Sequence, residues 1–159
     1  MLTLRAIMKI LIIGVICAQT TNAQILAVLE IVSSSEEINL TISEFRHLTD
    51  ELRNQARETM PKSYSILTRD NILQLLPPNE SEASCFDDNC VISIGRAIGA
   101  EYVTQGFVGK FGEKFTLTVE LYESMSGNLL GSFVTESADI TGLLSIVRER
   151  APGLFIRIT

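Results

Sequence analysis

The chain has no tryptophan and a single histidine, His47, among 159 residues. Imidazole chemistry therefore has one donor at most, too few parts for a charge-relay triad or a histidine-rich metal site. His47 also falls on the polar side of an amphipathic segment, where a solvated side chain is expected rather than a base. No Gly-x-Ser-x-Gly step occurs, so there is no nucleophile elbow. Gly106, Gly109 and Gly112 surround Lys110, but Gly109-Lys110-Phe111 leads into a hairpin, whereas a phosphate loop needs Gly-Lys-Ser/Thr opening a helix. Strand bulges and turn geometry account for these glycines. Asp87-Asp88-Asn89 lacks the glycine and the distal glutamate of a calcium loop and reads as helix capping. No catalytic, cofactor-binding or metal-ligating set is expected, and the chain is read as a binding protein, not an enzyme.

Positive charge is also scarce: 13 basic against 19 acidic side chains, a net charge of −6. A nucleic-acid partner demands a basic face, and anionic lipid attracts one, so both are disfavoured. No apolar run reaches the roughly 20 residues of a spanning helix. The longest, residues 10–18, follows Arg5 and Lys9 and precedes the small-residue step Thr21-Asn22-Ala23. That is the layout of a signal peptide occupying residues 1–23, cut between Ala23 and Gln24. The exported part, residues 24–159, keeps 11 basic and 19 acidic side chains, a net charge of −8, and is sized for one domain with its own core.

Of three cysteines, Cys17 belongs to the discarded leader; it follows Ile16, where lipid attachment wants a small residue. Cys85 and Cys90 remain, an even pair in a chain expected in an oxidising compartment, and read as a disulfide around a short ring. Closing so short a ring is worth about 2 kcal/mol. Zinc would need further soft ligands, and a redox motif would need two intervening residues.

The elements present are well marked. Residues 24–32 are a branched apolar strand, closed by a serine-rich polar stretch. Thr41 and Glu44 form a capping box, after which Ile42, Phe45, Leu48, Leu52, Ala56 and Met60 make one apolar helical stripe until Pro61. Arg46, Asp50, Arg53 and Arg57 lie off it. Residues 64–68 form a short strand, and Asp70 caps a brief helix carrying Ile72, Leu73, Leu75 and Leu76, stopped by Pro77 and Pro78. Asp88 or Asn89 caps a helix with Val91, Ile94 and Ile98 on one face; Gly99 suits its left-handed end, and Gly95 with Gly99 marks close helix packing. Three strands follow as a meander, the second alternating Phe115, Leu117, Val119 and Leu121 with polar residues. Asp139 caps a last helix, which Pro152-Gly153 should kink or break. Asn39 and Asn79 head formal glycosylation triplets, and Tyr102, Phe107 and Tyr122 are candidates to line a ligand pocket. The expected fold is α/β (α+β), a mixed sheet of about five strands with an antiparallel C-terminal meander, flanked by helices.

Several segments in order, Leu26-Ala-Val-Leu-Glu30, Tyr64-Ser-Ile-Leu-Thr-Arg-Asp-Asn-Ile72, Cys85…Cys90 with Val91 to Val103, Gly106-Phe-Val-Gly-Lys-Phe-Gly112 and Leu121-Tyr-Glu-Ser-Met-Ser-Gly-Asn-Leu-Leu130, resemble the periplasmic α/β module shared by the amino-terminal domain of TolB and the curli-secretion channel protein. Their order and spacing carry the likeness, which is nearest to cysteine-containing variants in Gram-negative envelopes. It implies a periplasmic or outer-membrane-associated, non-enzymatic assembly or interaction role with envelope protein partners, a homo-oligomer being one version. Propeller and pore-forming hairpins have no counterpart here, so translocation and channel formation are not implied.

Overall fold

The computed structural model describes residues 23–35, 38–78, 81 and 85–159. The leader up to residue 22 with Cys17, and Asn79 of the second glycosylation triplet, lie outside the described residues.

The chain runs β1 (Gln24–Val28), β2 (Val32–Ser33), α1 (Ile42–Thr59), β3 (Tyr64–Ile66), α2 (Arg69–Leu75), α3 (Asp88–Ala97), β4 (Tyr102–Phe111), β5 (Lys114–Glu123), β6 (Leu129–Ser137), α4 (Ile140–Phe155) and a closing 3-10 turn (Ile156–Ile158). One six-stranded sheet has the order β3-β1-β4-β5-β6, with β2 paired to β4 beyond the end of β1. β1 is parallel to both β3 and β4, and β4, β5 and β6 form an antiparallel meander. The expected mixed sheet flanked by helices is the observed fold.

Strand alternation sends side chains to two cores. On one face Leu26, Val28, Leu117, Val119 and Leu121 pack against Leu48, Leu52 and Ala56 of α1 and Leu143, Val147 and Phe155 of α4. On the other, Ala27, Val103 and Tyr122 pack against Ile72 of α2 and Val91, Ile92 and Ile94 of α3. Both faces of the sheet are thus covered.

Local chemistry departs from expectation at several places. The first strand is interrupted at Leu29–Ile31: Leu29 N still donates to Thr104 O of β4 at 2.9 Å, but side chains take up Val28 O, Glu30 O and Ile31 N. α2 is capped by Thr68, not Asp70: Thr68 Oγ1 accepts from Asn71 N at 3.2 Å while Asn71 Oδ1 reaches back to Thr68 N. α3 is capped by Asp87, one residue earlier than expected, its Oδ1 accepting from Cys90 N at 2.9 Å. α4 continues through Pro152 to Phe155. Losing one helical hydrogen bond there costs about 3 kcal/mol; burying Ala151, Leu154 and Phe155 on one face offsets it. Gly106 and Gly109 sit in unbroken register opposite Val119 and Thr116, so neither marks a bulge. Gly95 is a close approach, since a Cβ there would stand 2.5 Å from Ser124 Oγ and 3.0 Å from Val103. Gly99 has φ +71, the left-handed helix end expected of it.

Candidate functional site

β1 lies between β3 and β4. From its carboxyl end the chain passes to α1 on one face, while from the parallel end of β3 it passes to α2 and α3 on the other. Adjacent parallel strands whose connections part to opposite faces leave a crevice outside their carboxyl ends. A groove of about 730 Å3 occupies that position, lined by Glu30 to Ser35 after β1, Ile42, Phe45 and Arg46 of α1, Arg69 and Leu73 of α2, and Phe86.

Its floor is the interruption of the first strand, and three side chains hold its backbone. Arg53 Nη2 donates to Val28 O at 2.7 Å, Gln105 Nε2 donates to Glu30 O at 2.9 Å, and Thr49 Oγ1 accepts from Ile31 N at 2.9 Å. All three are buried, which backbone polar groups away from water require of their partners. Glu30 takes Arg69 Nε at 2.5 Å and Nη2 at 3.4 Å, a two-pronged carboxylate–guanidinium pair. Asp50 bridges Arg69 at 2.9 Å and Arg53 at 3.2 Å. The Glu30 hydrogen bond, opposed by burial, holds the Arg69 guanidinium above its ordinary range, so it stays charged.

The walls are apolar and wet. Ile42 is 73% exposed, Phe86 60% and Leu73 59%. Ile42 lies on α1, Leu73 on α2 and Phe86 in the loop before α3, and all three line one hollow. Arg53, placed off the stripe by periodicity, is only 4% exposed, whereas Ile42, placed on it, stands in water. α1 simply overhangs the core by one turn.

The disulfide forms the lip. Cys85 is fully buried, its sulfur 2.05 Å from that of Cys90 with Cα atoms 5.4 Å apart, and Phe86 is the first residue of the ring they enclose. Asp87, Asp88 and Asn89 belong to the start of α3, and among the described residues no cluster of His, Cys, Asp or Glu is arranged to hold a metal ion. Gln24 begins β1 and Ala23 precedes it, exposed. His47 and Asn39 are exposed, away from the groove lining. The three candidate pocket aromatics do not share a site: Tyr102 packs on the α1 side of the sheet, Phe107 and Tyr122 on the α3 side. Burial, and then Glu120 accepting from its hydroxyl at 2.8 Å, raise the Tyr122 phenol above its usual range.

Most polar groups lining the groove already have partners. Two of its three serine hydroxyls are engaged with backbone carbonyls, Ser33 donating to Ser35 O and Ser34 to Val108 O. Glu30 is engaged with cations. Arg46 is the groove's lining cation without an ion pair among the described residues. No helix among the described residues is long and apolar enough to cross a membrane.

No protein-family model and no curated protein sequence matches the chain. Solved structures do. The C-terminal domain of LpoB from Salmonella enterica is 20% identical, over 77% of this chain and 87% of that one, with a TM-score of 0.54. Lipoprotein GNA1162 from Neisseria meningitidis is 16% identical, over 81% of this chain and 96% of that one, with a TM-score of 0.51. The chain has an LpoB-like α/β fold. TolB from Acinetobacter baumannii also aligns, at 15% identity over 86% of this chain and 27% of that one, with a TM-score of 0.49. At these identities the likeness is one of fold.

Proposed function

We propose that the chain is exported with cleavage after Ala23, oxidised at Cys85 and Cys90, and serves in the periplasm as a non-enzymatic interaction module, docking an envelope protein in the groove beyond the carboxyl end of β1, between α1 and α2. A lipoprotein among the structures of this fold, and the resemblance to cysteine-containing TolB-like and curli-secretion-like modules, support the compartment. Association with outer-membrane machinery and assembly of several copies are two forms of the same role.

One observation carries the reading: Ile42 and Leu73, from two helices, and Phe86, from the loop before α3, leave large apolar surface exposed around a single concavity. Exposed apolar side chains that are scattered need no explanation, but a converging patch marks a contact site. The expected occupant is an apolar segment of the partner, with Arg46 placed to meet an acidic side chain at its edge. A photo-reactive residue at position 73, activated in intact cells, should give a discrete protein adduct. The same adduct should disappear with Phe86→Glu, and the same label at exposed Val134 should not give it. No adduct at position 73, or one unaffected by Phe86→Glu, refutes the reading.

A small-ligand carrier is the second reading, and the concavity itself favours it: about 730 Å3 lies within the usual range for ligand sites. Native mass spectrometry of the protein taken from the periplasm would then show a bound mass of a few hundred daltons, lost in Leu73→Glu.

A further inference from the structure

At the opposite edge of the sheet, among the described residues, β6 is paired to β5 alone and closes the strand order. Nine residues long, it offers the unpaired backbone of an edge strand, which natural proteins usually blunt or use. Beside it runs a hollow of about 330 Å3, lined by Ser132 and Phe133 of β6, Glu149, Arg150, Gly153 and Leu154 of α4, and Arg157.

Two guanidiniums stand there without a carboxylate partner among the described residues. Arg150 lies 5.6 Å over the Phe133 ring, a cation–π contact. Arg157 crosses the strand at Gly131, where a Cβ would stand 2.7 Å from its Cδ and 3.0 Å from its Nε, and Nη1 reaches Leu130 O at 3.5 Å. Among the described residues neither makes an ion pair, unlike Arg148, which holds Glu51 at 3.0 Å. Glu149 shares the lining, so the hollow keeps two cations against one anion. Basic residues near the carboxyl end of a helix also offset its dipole. That role is met by mobile side chains in water and asks for neither the Phe133 ring beneath one nor a glycine beneath the other.

We propose that the free edge of β6 takes an extended acidic segment of a second protein as an added strand, its carboxylates meeting Arg150 and Arg157. Main-chain hydrogen bonds supply the docking in such strand addition, and side-chain sites select the sequence. The negative charge of the whole molecule opposes this weakly, because charges beyond about 8 Å are screened at physiological salt. Self-pairing is the poorer occupant. A two-fold pairing of β6 centred on Phe133 would set each Arg150 against its own copy.

The test is titration of the 15N-labelled protein with a ten-residue peptide of alternating valine and glutamate. Amide shifts should concentrate on β6 and on the Nε–H signals of Arg150 and Arg157. The double variant Arg150→Ala, Arg157→Ala, exposed positions whose loss leaves the core intact, should weaken binding by about tenfold or more. Arg148→Ala should not. A peptide N-methylated at alternate residues should fail to bind, as should one with lysine for glutamate. No shifts on β6, equal binding of the lysine peptide, or an unaffected double variant overturns the proposal. Concentration-dependent shifts of β6 without peptide also overturn it, assigning the edge to a second copy.

Discussion

Replacing Arg53 with methionine tests the account of how the first strand is held. The side chain is 4% exposed, so a methionine of similar length keeps the packing and removes the charge and its donors. The interactions lost include the 2.7 Å hydrogen bond to Val28 O, the 3.2 Å pair with Asp50, and the 3.7 Å approach to Glu30. Asp50 is half in water and contributes a few tenths of a kcal/mol. The bond from a charged donor to a buried carbonyl is the larger part, about 1.5–3 kcal/mol. Glu30 keeps Arg69, so its charge is not stranded. The sum is about 3 kcal/mol, which for a domain of this size lowers the melting temperature by roughly 10 °C. Urea unfolding followed by far-ultraviolet circular dichroism measures it, and the denaturant slope should stay constant, since the same surface is exposed. Arg53→Lys keeps the charge but loses the fork, and one ammonium cannot serve Val28, Asp50 and Glu30 together; about half the loss should persist. A loss below about 1 kcal/mol for methionine, or a lysine variant equal to the parent, would refute the reasoning.

Cys85→Ala with Cys90→Ala should lower stability by about 2 kcal/mol through the reopened ring, measured in urea without reductant; no change would mean the ring is held by α3 alone. Thr68→Ala removes the cap of α2 and should cost about 1 kcal/mol, visible as faster amide exchange in Asn71 and Ile72. Acid should weaken the fold through two carboxyls held below their ordinary range: Glu51 by its hydrogen bond from Arg148, and Glu44 by the Thr41 backbone N–H and hydroxyl. Their contribution is full above the unfolded value near 4.5 and is lost as pH falls through the lower folded values; carboxyl titration by NMR reads both, and ordinary midpoints would refute the pairing.

Much of the scaffold is legible in the residue pattern. The period of α1, its Thr41–Glu44 box and the strict alternation of β5 each depend on residues a few positions apart. What escapes is long-range. Arg53 reads as a solvent residue because its partner, Val28, lies 25 residues away, and Gln105 meets Glu30 across 75. Thr68 was open to reading, since Thr-x-x-Asn is a reciprocal cap of the same kind as Thr41-x-x-Glu. The groove left a fainter signal. Ile42, Leu73 and Leu75 fit apolar stripes but are exposed, and periodicity alone cannot tell a stripe that ends in the core from one that overruns it. Phe86, between a buried cysteine and a helix cap, carries no periodic signal at all.

Stability and binding surface share one cause here. Had residues 29–31 stayed in register with β4, the first strand would run straight on into β2. Instead the backbone leaves the ladder, and Thr49, Arg53 and Gln105, drawn from α1 and β4, receive its polar groups. Burying three polar side chains is costly unless each finds a partner. Each finds one in this interruption, so their burial and the bend sustain each other. The bend turns Glu30 toward Arg69, which ties the start of α2 to the floor. α2 in turn carries Leu73 across from Ile42, and the hollow between them stays open to water. A regular strand would have removed the polar network and the hollow together.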